Sequence, residues 1–201
     1  MLEFVETVLV DHMKLIIIAD IFGKTPALLE LARCLAENVQ ILDPYDGKMM
    51  GFASEAQAYD YFTQNVGLDA YYDKVRALLL GIDEPFHLIA FSVGASVAWR
   101  LSEQAPSEYL KSATCFYGSQ IRHYLAIAPK IPIHLIFPAQ EAHFSVEQVM
   151  AILKDRANVS IEQVPYLHGF MNKHSVNFNR EGYQAFSASL ANIHNPGEVN
   201  R

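Results

Sequence analysis

Six short apolar runs recur along the chain, at residues 15–19, 39–42, 87–91, 113–117, 133–137 and 159–164. Most are continuously apolar and rich in β-branched or aromatic residues, the pattern of strands buried on both faces. The run at 159–164 alternates instead, which predicts a half-exposed strand nearer a sheet edge. Between the runs, apolar positions recur at helical spacing behind recognisable start signals. Thr25-Pro26 reads as an N-cap followed by proline at the first helical position, with Leu28, Leu31, Ala32 and Leu35 on one stripe. Ser54 with Gln57, and Ser145 with Gln148, each fit a capping box. Asp69 can open a helix running through Leu80, and Asn179 can cap a last one carrying Tyr183, Phe186, Leu190 and Ile193. Strand and helix in alternation predict a parallel sheet covered by helices on both faces, hence a three-layer α/β fold. Residues 2–10 fit either an edge strand or a short helix.

Composition narrows the class of protein. With 51 % hydrophobic and 18 % charged residues in 201, the chain has ample material for one core, and no linker, repeat or low-complexity tract divides it, so residues 1–201 read as a single domain. The formal charge of −7, with no run of Lys or Arg, lacks the electrostatic footprint of nucleic-acid or anionic-membrane binding. No stretch approaches the apolar length of a membrane span, and the acidic N-terminus does not resemble a signal peptide. The expectation is a cytoplasmic protein, a monomer or small homo-oligomer. Cys34 and Cys115 are too few and too far apart for a disulfide framework or metal motif and read as buried, inert thiols.

In parallel sheets ligands bind at the carboxyl ends of the strands, so the residues after each run carry the search for chemistry. The third run ends Ala90-Phe91-Ser92-Val93-Gly94-Ala95 and passes directly into a helical pattern. This is a nucleophile elbow, G-x-S-x-G with Ala in place of the first Gly; small residues two before and two after the serine let the turn be sharp enough to lift its hydroxyl clear. Ser92 could also simply cap the helix, as serine often does. A phosphate loop is a poorer fit, with one glycine and no following Lys. A nucleophilic serine needs a base, and His168 follows the last run in Tyr166-Leu167-His168-Gly169-Phe170. His12, His87, His123, His134, His143, His174 and His194 lack comparable context and read as surface or packing residues, without metal-ligand spacing. The remaining member of a triad, in the chain order nucleophile, acid, histidine, is Glu141 in the loop after the fifth run, although a solvated loop glutamate would look the same. The backbone amides of Val93 and Ile21 are the expected oxyanion donors. Phe22, Tyr45, Tyr117 and Phe170 lie near strand ends and are candidates to line an apolar pocket, or equally to be core aromatics.

These landmarks, in order, resemble the dienelactone hydrolases. The likeness runs from about Leu15 to Ile193 and includes Asp20-Ile21-Phe22-Gly23, Asp43-Pro44-Tyr45, the elbow around Ser92, Phe116-Tyr117-Gly118, the acid loop at Glu141, and His168-Gly169-Phe170. The resemblance implies an α/β-hydrolase fold, trimmed at its N-terminus and without a cap domain, that cleaves a small ester or lactone with no cofactor and no metal. It also implies departures. Ser92 stands where dienelactone-opening members have cysteine, Glu141 where an aspartate is usual, and Asp20 where a glutamate partners the resting nucleophile. Lys173 is the cation near the position of a substrate-binding arginine. An acyl-thioesterase using the same triad, or a hydrolase-like binding protein without turnover, are the alternative readings.

Overall fold

The computed structural model describes residues 13–194, so the segment 2–10 and His12 lie outside the described residues. The six expected runs form strands β1 (Lys14–Ile18), β2 (Gln40–Leu42), β3 (Phe86–Phe91), β4 (Leu110–Phe116), β5 (Ile133–Phe137) and β6 (Val159–Gln163). They make one sheet in the order β2-β1-β3-β4-β5-β6, with every pairing parallel. All of β3 is buried, whereas β6, the edge strand that its alternating pattern predicts, leaves Ser160, Glu162 and Gln163 exposed. Strand β4 begins three residues before its apolar run, at Leu110, with Lys111 bulged out of the ladder: Phe86 pairs with Leu110 and His87 with Ser112.

Among the described residues six helices cover the sheet: α1 (Pro26–Leu35), α2 (Glu55–Asn65), α3 (Gly67–Leu79), α4 (Val93–Leu101), α5 (Val146–Leu153) and α6 (Arg180–His194). The start signals read from sequence operate as hydrogen bonds. Thr25 Oγ1 accepts from the Leu28 amide at 3.1 Å, the Ser54 and Ser145 hydroxyls from Gln57 and Gln148 at 3.2 Å each, and Asn179 Oδ1 from Gly182 at 2.9 Å. Helix α3 starts two residues ahead of Asp69. Gly67, at φ +76°, turns the chain directly out of α2, so Val66 ends one helix and precedes the next.

Helices α2 to α5 pack on one face through Phe62, Tyr71, Val75, Leu79, Trp99 and Leu153, and α1 and α6 on the other through Leu31, Leu35 and Leu190. Each such aliphatic side chain removed from water contributes about 1.5–3 kcal/mol. The Tyr71 hydroxyl reaches the Ala19 and Leu42 carbonyls, at 3.0 Å each, and so pins the ends of β1 and β2 together. Cys115 is buried, which pushes its thiol up to about 12. Cys34 is exposed, contrary to expectation, because α1 turns Arg33 and Cys34 outward while Leu31, Ala32 and Leu35 face the sheet.

Between strands the described residues form only these helices, a 3-10 helix at Ser119–His123 and loops, with no inserted cap domain. No helix among them is long and apolar enough to cross a membrane. The chain leaves β1 toward β2 on one side and returns to β3 on the other. The carboxyl ends of β1 and β3 therefore flank the topological switch point, where a crevice opens above the sheet.

Candidate active site

Asp20 follows β1 and Ser92 follows β3, so both stand at this switch point. Ser92 has φ 52° and ψ −113°, a left-handed conformation that typically costs about 1–3 kcal/mol in a non-glycine residue. The surrounding structure holds it there: the Ser92 amide donates to the Phe116 carbonyl at 2.9 Å, and Ser96 Oγ donates to the Ser92 carbonyl at 3.3 Å. Gly94 shows why the turn needs a small residue on its far side, since a Cβ there would lie 2.5 Å from the Ile18 carbonyl oxygen and 2.6 Å from that of Ala19. The Ser92 side chain makes no capping hydrogen bond to α4, which distinguishes it from an ordinary helix-capping serine. Its hydroxyl points elsewhere: Oγ lies 3.0 Å from His168 Nε2.

His168 Nδ1 in turn lies 2.7 Å from Glu141 Oε1, and the Glu141 side chain is nearly buried. Serine, histidine and carboxylate thus form one hydrogen-bonded row drawn from the ends of β3, β6 and β5. The loop carrying the histidine is tightly folded. Asn177 Nδ2 donates to the His168 carbonyl at 2.9 Å, the Asn172 amide donates to the Gly169 carbonyl at 2.8 Å, and Gly169 (φ +86°) leaves no room for a Cβ against Ser175. The Tyr117 ring lies against the imidazole, centroids 4.9 Å apart.

The loop 20–23 is held by three separate contacts. The Asp20 carbonyl accepts from the Gly23 amide at 3.0 Å, Asp20 Oδ1 accepts from the Phe22 amide at 2.9 Å, and the Tyr45 hydroxyl donates to the Ile21 carbonyl at 2.6 Å. Among the described residues, no acceptor is hydrogen-bonded to the Ile21 or Val93 amide. Asp20 Oδ2 also accepts from Asn172 Nδ2 at 2.6 Å. Burial pushes the Asp20 carboxyl above its ordinary range; the Phe22 amide, Asn172 and His168 oppose that shift, and Glu55 adds to it.

The remaining pocket candidates take different places. Phe22 stacks on His174, centroids 5.6 Å apart. Tyr45 stands behind the 20–23 loop, packed on Gly23, and supports it rather than facing the crevice. Phe170 is fully buried among Phe116, Tyr117, Tyr166 and Phe186, so it forms a floor beneath the His168 loop and offers no surface to a ligand. Tyr117, itself at φ 41°, lines a narrow cavity of about 20 Å³ with Asp20, Leu28, Phe91, Met171 and Asn172, adjoining the site. Burial and then Asp20 push its hydroxyl well above the ordinary value, with a smaller opposing pull from the Met171 backbone; among the described residues no group meets it at ordinary hydrogen-bond geometry. Lys173, at the rim of that cavity, pairs with Glu30 at 2.7 Å. An open cleft of about 380 Å³ lies against the acid–histidine end of the row, lined by Gln140, Glu141, Leu167 and His168.

Asn172 and Asn177 join the site without a sequence signal of their own; Asn172 meets Asp20 across 152 positions of chain. A second polar network lies elsewhere. His87 is hydrogen-bonded to Ser112 at 2.6 Å and Thr114 at 3.0 Å. It sits five residues back along β3 from Ser92, about 17 Å away by strand rise, and no carboxylate among the described residues bonds to it. It is a packing histidine, as read from sequence. No group of three or more His, Cys, Asp or Glu among the described residues could hold a metal ion.

The fold and this row of residues are hydrolase-like, and comparisons with known proteins agree at the level of architecture. No family model matches the chain. An uncharacterized protein of Bacillus subtilis, YczH, is 29 % identical over 192 residues, covering 92 % of each chain. A dienelactone hydrolase-like promiscuous phosphotriesterase from metagenomic libraries superposes with a TM-score of 0.61 at 14 % identity, over 92 % of this chain and 86 % of that one. A dienelactone hydrolase from Anabaena variabilis gives 0.60 at 13 % identity, over 90 % and 85 %. An enol-lactonase from Burkholderia xenovorans gives 0.59 at 10 % identity, over 90 % and 91 %. At such identities the likeness is one of fold, the dienelactone-hydrolase-like α/β-hydrolase fold.

Proposed function

We propose that the protein is a serine hydrolase that cleaves small carboxylic esters or lactones through an acyl-enzyme. The observation that carries this reading is the continuous row from Ser92 Oγ to His168 Nε2 and from His168 Nδ1 to Glu141 Oε1. In the first half-reaction Ser92 Oγ attacks the carbonyl carbon while His168 Nε2 takes the hydroxyl proton. Glu141 holds the imidazole in the tautomer that leaves Nε2 free to accept, and stabilises the imidazolium that forms. The carbonyl oxygen gains the negative charge, and the Val93 and Ile21 amides are the donors that receive it; one such donor typically contributes about 2.7–4 kcal/mol to the transition state. Collapse breaks the bond to the alcohol oxygen, which leaves with the proton from His168. Water, deprotonated by the same nitrogen, then releases the acid and regenerates Ser92. The chemistry uses no cofactor.

A fluorophosphonate probe tests the assignment directly. Covalent labelling of the wild-type protein that disappears in Ser92→Ala supports it. Labelling that persists in Ser92→Ala removes Ser92 as the reactive group, and a wild-type protein that neither labels nor turns over short-chain esters, lactones or thioesters is a binding protein on a hydrolase fold.

A further inference from the structure

Residues 172–174, in the loop that carries His168, each reach back to the segment that follows β1. Asn172 Nδ2 donates to Asp20 Oδ2 at 2.6 Å, Lys173 Nζ lies 2.7 Å from Glu30 Oε2, and the His174 ring stacks on Phe22, centroids 5.6 Å apart. These contacts differ in weight. The Lys173–Glu30 pair is exposed to solvent, where ion pairs contribute little. The Asn172–Asp20 bond is partly buried, and both partners are held from several sides. Asn172 Oδ1 accepts from the His174 amide at 2.8 Å, so the donor and acceptor ends of this side chain each face a partner that fits it. The Asn172 backbone amide donates to the Gly169 carbonyl at 2.8 Å, and its carbonyl accepts from the Ser175 amide at 3.0 Å. On the other partner, Asp20 Oδ1 accepts from the Phe22 amide at 2.9 Å and closes a turn around Ile21.

Resting on the hydrolase reading and deepening it, we infer that Asn172 is a positioning residue, whose hydrogen bond to Asp20 sets the loop that carries the Ile21 amide against the loop that carries His168. One carboxyl group serves both loops: Asp20 fixes the turn at Ile21 with one oxygen and receives Asn172 with the other. Asn172 is bonded in turn to Gly169, the neighbour of His168. An oxyanion donor and a general base must meet the same substrate at hydrogen-bond distance, and about 1 Å of misplacement can cost about a hundredfold in rate. Asn172 acts through this chain of bonds and not on the reacting atoms.

Exchanging the two side chains tests this, with hydrolysis of para-nitrophenyl acetate as the readout. Asp20→Asn sets one amide donor against another, and Asn172→Asp sets two carboxyl groups together. The double variant Asp20→Asn/Asn172→Asp keeps every bond: an amide at position 20 accepts from Phe22 and donates to a carboxyl at position 172, which still accepts from the His174 amide. Each single variant should lower kcat about tenfold or more with little change in KM, because the donor and base act in the transition state. The double variant should return to within about threefold of wild type. Asn172→Asp should also acquire a pH dependence, its rate relative to wild type falling as pH rises, since two carboxyl groups in contact bond only while they share a proton. Asn172→Ala removes the donor without adding a repulsion and should show the same loss of kcat, which keeps the test decisive if a single exchange does not fold. Glu30→Gln, which cuts the exposed pair, should leave kcat within about twofold. Wild-type kcat in Asn172→Ala, or a double variant no faster than the singles, overturns the inference and leaves the serine-hydrolase reading standing. A wild-type protein that neither cleaves the ester nor labels with the fluorophosphonate removes the hydrolase reading and the inference with it.

Discussion

Gly94→Ala puts the geometry of the elbow to a quantitative test. An added Cβ would stand 2.5 Å and 2.6 Å from the Ile18 and Ala19 carbonyl oxygens and 2.9 Å from the Ile18 carbonyl carbon. All three atoms are backbone, and Ile18 belongs to β1, which is paired with β2 on one side and β3 on the other, so no rotamer change can relieve the contact. Overpacking of this kind typically costs about 1–3 kcal/mol, and a backbone-on-backbone clash belongs at the upper end, about 3 kcal/mol. For a domain of this length, each kcal/mol moves the melting midpoint by about 2–4 °C, which gives a fall of about 6–12 °C. Urea unfolding, with thermal melts alongside, measures it. Gly81→Ala is the matched control: its Cβ would lie 3.6 Å from the Leu78 carbonyl oxygen, an ordinary contact, and the change should stay within about 1 kcal/mol of wild type. Because the clash displaces the residue two positions after Ser92, fluorophosphonate labelling of the folded variant should slow roughly a hundredfold. A Gly94→Ala protein as stable as Gly81→Ala would refute the close approach of α4 to β1 on which the elbow depends.

Glu141→Gln replaces the carboxylate 2.7 Å from His168 Nδ1 with an amide that can present a donor to that nitrogen; turnover should fall well over tenfold with an unchanged melting midpoint, and unchanged kinetics would reassign the acid. His87 supplies a pH prediction unconnected with the proposed chemistry. Burial, then the nearby His134, lowers its pKa from 6.5 to about 4. The unfolded chain therefore takes up this proton first as pH falls. The stability that comes with a neutral His87 is complete above pH 6.5 and is lost between there and about 4, by about 3 kcal/mol in all. Urea midpoints measured across that interval should fall more steeply in wild type than in His87→Gln, and equal slopes would contradict the assignment.

The strands and helix starts were legible because they rest on local rules. Continuous apolar runs mark β1 and β3, alternation marks β6 as an edge, and Thr25, Ser54, Ser145 and Asn179 each meet an amide three residues on. The elbow was legible for the same reason, since Gly94 and Ser92 are two residues apart. What escaped depends on contacts between distant segments that no periodicity encodes. Asn172 reaches Asp20 from the far end of the chain, Asn177 holds the His168 loop from nine residues on, and Glu30 takes up Lys173 across 143 positions. The aromatic residues divided for a simpler reason. A ring at a strand end can turn toward the crevice or under it, and sequence does not distinguish Tyr117, which lines a cavity, from Phe170, which is wholly enclosed, or from Tyr45, whose hydroxyl is tied to the Ile21 carbonyl.

The hydrogen-bonded row is drawn from the ends of β3, β5 and β6, and the last of these is both the final strand among the described residues and an outer edge of the sheet they form. On the proposed chemistry, a chain that stops short of β6 carries Ser92 and Glu141 but lacks His168, the base of the row. In a refolding experiment, the onset of probe labelling would time the docking of a single edge strand.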